Sequence, residues 1–300
     1  MRTGGGPKDG QPRIANEMQR AATVDSRPEL PAPGVETAAA PETRPSPFEA
    51  LAGSYDETFT HSRIGTRMRR AVWRRLDAAF PPGSRVLELG CGTGEDAIHL
   101  AGRGVVVLAT DPADGMVAQA RAKAATAGLS DLVSTRTLDA GRLDETELAG
   151  PFDGAFSNFG ALNCVADLSI VSAGLARHVR SGGKVLLCLM GRYVPWEWGW
   201  YLARGDRKSA FRRLAPGGAE WRGLSIAYPP LREIRRLFAP GFRFVGARAI
   251  GVLVPPSYVE EWARRHPRLL AALDAAERRV EALPPFPSLA DHVLVELERL

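Results

Sequence analysis

The sequence predicts an α/β protein: a doubly wound sheet of seven strands, mostly parallel with an antiparallel last strand, plus helical lid insertions. Three observations point there. Apolar strand-length runs alternate with helical periods from residue 85 to residue 190. The first strand runs directly into a glycine-rich turn, Gly90-Cys91-Gly92-Thr93-Gly94, with a helical pattern starting at once. A final strand-like run, Asp291-His292-Val293-Leu294-Val295-Glu296-Leu297-Glu298, closes the chain.

Taken in order, residues 1–46 are rich in Gly, Pro, Ala and charge with no apolar period, which predicts a disordered N-terminal tail. Residues 47–300 are expected to form a single domain. An amphipathic helix is predicted over 63–80, where Ile64, Met68, Val72, Leu76 and Phe80 recur every four residues between arginines; Pro81-Pro82-Gly83 stops it. Strands follow at 85–89, 104–110, 132–138, 152–158 and 184–190, separated by helices at 94–102, 114–127, 143–149 and 166–180. Apolar strands alternating with helices imply a parallel sheet covered on both faces, with every strand's C-terminal end at one edge. Beyond residue 190 the pattern breaks. A Trp/Tyr cluster (Tyr193, Trp196, Trp198, Trp200, Tyr201) and a basic stretch occupy 191–228. A helix at 230–239 and a strand at 242–252 come next, then two helices between Pro255-Pro256 and Pro284-Pro285. The segments 191–228 and 253–286 are expected to emerge at the ligand edge as lids.

The chain has 45% hydrophobic residues, ordinary for a globular core, and no run of the ~18 apolar residues that a membrane span needs. Its N-terminus lacks the apolar stretch of a secretory signal. The cysteines Cys91, Cys164 and Cys188 are widely spaced and lack metal-ligand spacing, as in reduced thiols of a cytoplasmic protein. No metal is expected. The net charge of +5 comes mostly from arginine in helical segments, which reads either as solvated helix faces or as a surface for anionic partners, nucleic acid included.

The turn at 90–94 carries the chemistry. Gly90 lets the chain turn off the strand, Gly92 lets the backbone lie against a ligand, and Gly94 allows close helix packing. Asp111, at the tip of the second strand, is placed to accept both hydroxyls of a ribose. A dinucleotide fingerprint, G-x-G-x-x-G, would need glycine where Glu95 stands, and Asp96 adds a second carboxylate in that helical turn. Two acids suit a ligand with a cationic part better than a pyrophosphate.

With Glu88-Leu89-Gly90-Cys91-Gly92-Thr93-Gly94 in place, the chain resembles the class I S-adenosylmethionine-dependent methyltransferases, which have a Rossmann-like sheet. The resemblance runs from about residue 53 to 190 and through the terminal strands. It implies S-adenosyl-L-methionine as cofactor and a set of cofactor-binding residues: Tyr55, Glu88, Gly90, Cys91, Gly92, Gly94, Asp96, Asp111, Pro112, Met116, Asp139, Ala140, Asn158, Phe159 and Gly160. Asp139 would accept from the adenine amine beside the Ala140 N–H. Asn158 would line the cofactor near the transferred methyl, while Asn163 either joins it or caps the next helix. Ser157-Asn158-Phe159-Gly160 lacks the prolines of nucleobase amino-methyltransferases, and Cys164 lacks the context of a pyrimidine-methylating nucleophile. What remains is similar to the small-molecule, quinone-biosynthesis branch, in which a segment like Tyr55-Asp56 folds over the methionine end. Expected is in-line methyl transfer to a small-molecule or lipid-like acceptor. The alternatives are an RNA methyltransferase using the arginine-rich helices and a non-catalytic cofactor-binding protein. Candidate bases are Tyr55, His61, Glu197, Tyr258, His266 and His292, none distinguished by the sequence. The tryptophans 196, 198 and 200 either line an acceptor pocket or pack the lid core.

Overall fold

The computed structural model describes Phe48, Glu49, Asp56, Thr60 and residues 62–300. The segment 1–46, read from sequence as a tail, lies outside the described residues, as do Tyr55 and His61. The chain runs α1 (Arg63–Ala79), β1 (Arg85–Leu89), α2 (Glu95–Ala101), β2 (Val106–Asp111), α3 (Asp114–Thr126), β3 (Val133–Thr137), β4 (Phe152–Ser157), α4 (Leu168–His178) and β5 (Val179–Met190). Then come α5 (Pro195–Leu202), α6 (Arg207–Phe211), β6 (Ala219–Trp221), β7 (Leu224–Ile226), α7 (Leu231–Phe238), β8 (Phe242–Ile250), α8 (Glu260–Arg265), α9 (Pro267–Val280) and β9 (His292–Arg299).

Seven strands form one sheet in the order β3-β2-β1-β4-β5-β9-β8. The first five strands are mutually parallel, and β9 is antiparallel to both β5 and β8. The expected sheet, with its antiparallel last strand, is therefore present. The C-terminal ends of β1–β5 and β8 share one edge with the N-terminal end of β9, because Met190 and Ile250 both pair with His292.

Alternation along each strand decides which face a side chain joins. Phe156, Leu186 and Leu294 pack with Val72 of α1, Leu100 of α2 and Ala120 of α3 on one face. Ala155, Val185 and Val295 pack with Leu175 of α4 and Phe238 of α7 on the other. Helix α1 forms because its four-residue apolar spacing makes one buried stripe, Ile64, Met68, Val72 and Leu76. Ser62 caps it by accepting from Gly65 N at 2.9 Å. The Glu260 carboxylate accepts from Arg63 N at 2.9 Å and Ile64 N at 3.1 Å, so the second insertion closes the N-terminus of α1.

Local departures from the sequence reading have physical causes. No helix spans 143–149; a short 3₁₀ turn covers Ala140–Arg142 and Leu143 plugs the core with its side chain fully buried. The two large apolar residues of 143–149, Leu143 and Leu148, are spaced too far around a helix to define one face. Strand β5 starts at Val179, directly after α4 and ahead of the expected residue 184, with an irregular register opposite Phe152 and Gly154. The first insertion is only partly helical. Its second half is a hairpin, β6–β7, whose two loop residues Arg222 and Gly223 both have positive φ (48° and 82°), the two-residue turn that matches strand twist.

Asn163 anchors that hairpin. It is 1% exposed; its Oδ1 accepts from Met190 N at 2.8 Å and its Nδ2 donates to Ala227 O at 2.6 Å, while Ala227 N donates to Asn163 O at 2.8 Å. It is thus neither a helix cap nor a ligand residue but a staple joining the β4 loop, β5 and the hairpin. Asn163→Ala strands a buried N–H and a buried C=O. It is expected to lower stability by about 2–4 kcal/mol in urea denaturation.

Candidate functional site

Strand β1 delivers Glu88 and the glycine turn to the sheet edge. Gly90 and Gly94 have φ of 71° and 83°. A Cβ on Gly90 would lie 2.2 Å from Ala161 Cβ, and one on Gly94 would lie 2.7 Å from Ala120 Cβ. The third glycine therefore admits α3, the helix after β2, rather than the helix that follows the turn. Cys91 N donates to Thr110 O at 2.8 Å, which holds the turn against β2. Burial pushes the Cys91 thiol well above its ordinary range.

Asp111 ends β2 and is 7% exposed. Its Oδ2 accepts from Gly92 N and its Oδ1 from Ala113 N, both at 3.0 Å. Each oxygen keeps acceptor capacity. Burial raises the carboxyl to about 6 despite those two donors. Glu88 is 1% exposed, and its Oε2 has no hydrogen-bond partner among the described residues. Burial, then the Asp96 charge, pushes it well up.

Asp96 sits at a buried junction. Its Oδ1 accepts from Arg69 Nη1 and Trp73 Nε1, both at 2.6 Å, and its Oδ2 accepts from Asn158 Nδ2 at 2.9 Å. Two residues read from sequence as separate cofactor contacts are bonded to each other. Asn158 Oδ1 is buried without a partner. Glu88 pairs in register with Phe156, so Glu88 and Asn158 lie on neighbouring strand ends with one orphaned acceptor each. Glu95 faces Lys123 at 3.4 Å. Lys123 Nζ also meets Asp56 Oδ2 at 2.5 Å, and Thr93 Oγ1 donates to Asp56 Oδ1 at 2.6 Å. The acidic turn is thus neutralised internally by Arg69 and Lys123, although its charge alone suggested a cationic ligand.

The other sequence-derived residues divide. Asp139 is exposed and accepts from Gly141 N at 2.8 Å, capping the turn that starts at Ala140. Phe159 follows Asn158 with φ 51°; the Arg69 guanidinium lies 4.9 Å from its ring centre, and His292 meets it edge-on at 5.6 Å. Gly160 N donates to Cys188 O at 3.1 Å. Pro112 is exposed between Asp111 and the start of α3. Met116, 1% exposed, packs with Trp221, Ile226 and Tyr228, so it meets the hairpin of the first insertion. Tyr55 lies outside the described residues, but its neighbour Asp56 reaches the glycine turn.

Sequence reasoning missed Arg69 and Trp73. Their signal existed: both lie on α1 in the four-residue frame, one and five positions after Met68. An arginine beside an apolar stripe reads as solvated until its partner is known. Removing it leaves Asp96 buried and uncompensated, so Arg69→Met is expected to cost about 3–5 kcal/mol in denaturant unfolding.

Residues 86–183 match the family model for a methyltransferase domain. A demethylmenaquinone methyltransferase of Mycolicibacterium gilvum is 33% identical over 146 residues, 48% of this chain and 58% of that protein. An S-adenosyl-L-methionine-dependent Diels-Alderase of Talaromyces variabilis is 37% identical over 110 residues, 36% of this chain and 37% of that protein. The match thus spans little more than half of the first relative and about a third of the second. Among solved structures, an S-adenosylmethionine dependent methyltransferase from Mesorhizobium loti shares the fold, with TM-score 0.52, 21% identity, 76% of this chain and 98% of that chain covered. The glycine turn, the Asp111 carboxylate and the sheet order agree with those matches: residues 86–183 carry a methyltransferase domain, set in a fold shared with an S-adenosylmethionine dependent methyltransferase.

Proposed function

We propose that the protein binds S-adenosylmethionine at the edge formed by β1, β2 and β4 and transfers its methyl group to a small-molecule or lipid-like acceptor. The observation that carries this is Asp111. It is buried, held by two backbone N–H groups, and retains a free acceptor position on each oxygen. Two adjacent hydroxyls of a ribose satisfy that geometry. The residues fit the cofactor in other respects. Glu88 and Asn158 offer orphaned acceptors at neighbouring strand ends, which suits an ammonium group. Asp139 and Ala140 stand at the end of β3, where an adenine edge would lie. When bound, the sulfonium supplies an activated methyl group; the protein orients it, excludes water and aligns the acceptor.

Several features support a small or lipid-like acceptor. The first relative's name is that of a quinone methyltransferase. A groove of about 450 Å³, lined by Trp196, Trp200, Arg204 and Val252, opens between α5 and the residue stretch just after β8 and suits an apolar tail. Nucleic acid is the weaker reading, because much of the arginine charge is spent internally. Arg69, Arg75, Arg212 and Arg213 all face carboxylates within the fold. In this reading residues 47–300 act as one domain with 191–228 and 253–286 as lids. A cytoplasmic setting is supported by three free thiols; no described helix is long and apolar enough to cross a membrane.

Titration calorimetry with S-adenosylmethionine tests the proposal, and an absence of binding sinks it. Binding with no methyl transfer to any hydroquinone, phenol or amine offered would favour a non-catalytic role. Asp111→Asn is expected to weaken binding by at least about 100-fold, since hydrogen bonds to a charged group contribute about 1.5–3 kcal/mol each. Affinity is expected to fall about ten-fold for each pH step of one below about 6, as Asp111 takes up a proton. In the ligand-free protein the sign is opposite. Raising this carboxyl from 3.8 to about 6 adds stability below pH 3.8 that is lost as pH rises through 6, about 3 kcal/mol in all. The slope of unfolding free energy between those pH values is expected to flatten in Asp111→Asn.

A further inference from the structure

We propose that His292, oriented by Asp291, is the base that takes the proton of the acceptor, and that the acceptor therefore carries an acidic hydroxyl of the phenol, enol or hydroquinone kind. This rests on the methyl-transfer reading above and deepens it.

His292 is the first residue of β9 and pairs with Met190 and Ile250, so it stands at the ligand edge of the sheet. Alternation places it with Leu294 on the face covered by α1. Its ring packs edge-on against Phe159, directly after Asn158. Its Nδ1 is buried, makes no hydrogen bond, and lies 3.2 Å from Asp291 Oδ2, within ion-pair distance. The negative charge at that distance favours the proton on Nδ1, the nearer nitrogen, and leaves the Nε2 lone pair available. Nε2 makes no hydrogen bond with any described residue and is not among the fully buried orphaned atoms.

Asp291 is itself held. Its Oδ1 accepts from Arg213 Nη2 at 2.6 Å, and Arg213 Nη1 donates at 3.0 Å to both Gly191 O and Asp291 O. Burial alone would raise the Asp291 carboxyl, but the Arg213 guanidinium holds it well below the usual range, so it stays an anion. Glu197 neutralises the cluster from behind: its carboxylate meets Arg212, and Arg213 Nε at 2.7 Å. On the far side of Phe159 the nearest charge is Arg69, already paired with Asp96. The imidazole thus faces one committed carboxylate and no free cation among the described residues.

Three of the other base candidates fall away, while Tyr55 and His61 lie outside the described residues. Glu197 is 1% exposed and its carboxylate is taken by two guanidinium groups. His266 is exposed on α8's C-terminal side and stacks on Trp262. Burial drives the Tyr258 phenol far up, and its hydroxyl is sealed without a partner. In the step, the acceptor O–H proton passes to His292 Nε2 as the oxygen forms its bond to the methyl carbon. The carbon–sulfur bond breaks, its electron pair stays on sulfur, and the imidazolium later returns its proton to water. His292 is the catalytic residue and Asp291 a positioning residue.

The test uses the full chain saturated with S-adenosylhomocysteine, whose binding is first measured by calorimetry. 4-Nitrophenol is then titrated at a pH where the free phenol is mostly protonated, and its phenolate absorption band is followed. The wild type is expected to show the bound phenol as phenolate. His292→Gln, with unchanged thermal midpoint and nucleoside affinity, is expected to reduce that band about ten-fold or more. Asp291→Asn is expected to move the half-ionisation of the bound phenol upward by about one pH unit, a change that loss of packing alone does not produce. No phenolate band in the wild type, or an equal band in His292→Gln, overturns the assignment. Failure of S-adenosylhomocysteine to bind instead removes the methyl-transfer reading on which it rests.

Discussion

The buried pair of Arg69 and Asp96 is the constraint around which the site is organised. Each side chain is under 10% exposed, and their 2.6 Å contact joins α1 to α2. Taking two charges out of water costs several kcal/mol per ion unless the remaining hydrogen-bonding capacity is met. Here it is met by Trp73 from the same helix and Asn158 from the end of β4. Three side chains from two segments thus agree on one position for Asp96. The glycine turn just before α2 inherits that position, and Asp111 then grips the turn through Gly92 N. The pair places the loop on which a nucleoside would lie.

A second buried ionic cluster does the same for the insertions. Glu197 on α5 meets Arg212 and Arg213, and Arg213 reaches Asp291 just before β9. Asp291 lies 78 positions beyond Arg213 in sequence, and each of the four residues is at most 6% exposed. Apolar side chains of similar volume could fill the same space, but they would not select one orientation of the insertion over its neighbours. The charges specify where the insertion sits. Asn163 fixes the hairpin from the other side, and Glu277 of α9 accepts from Gly251, Leu253 and Val254 N, each at 2.8 Å, which ties the second insertion to the end of β8.

Much of the fold was legible because it rests on local patterns. The stripe of α1, the alternation of apolar strands and the glycine turn each declare themselves within a window of a few residues. Where the reading failed, the deciding term was not local. In the stretch 143–149 Leu143 is fully buried and Leu148 partly so, and the conformation follows from the core that both enter. The hairpin at 219–226 is short, and its Arg222-Gly223 turn is a weak signal beside the usual asparagine or aspartate. Met116 and Asn163 lie in segments that the sequence ties to the cofactor, yet the first insertion claims both, because it folds back over α3 and the β4 loop.

The sequence by itself determined the sheet, the glycine turn and the acidic tip of β2, since periodicity and backbone conformation depend on near neighbours. It also marked out Glu88, Asp111 and Asn158 at strand ends, where a parallel sheet presents its ligands. Only the tertiary structure decided which charges face one another. Arg69 could have been a solvated arginine until α1 crossed the edge and set it against Asp96. His292 was one of several undistinguished bases until β9 entered beside β5 and set it against Phe159 with Asp291 behind it. Pairings of that kind join different elements, 27 positions apart for Arg69 and Asp96, and side-chain electrostatics has no period to read.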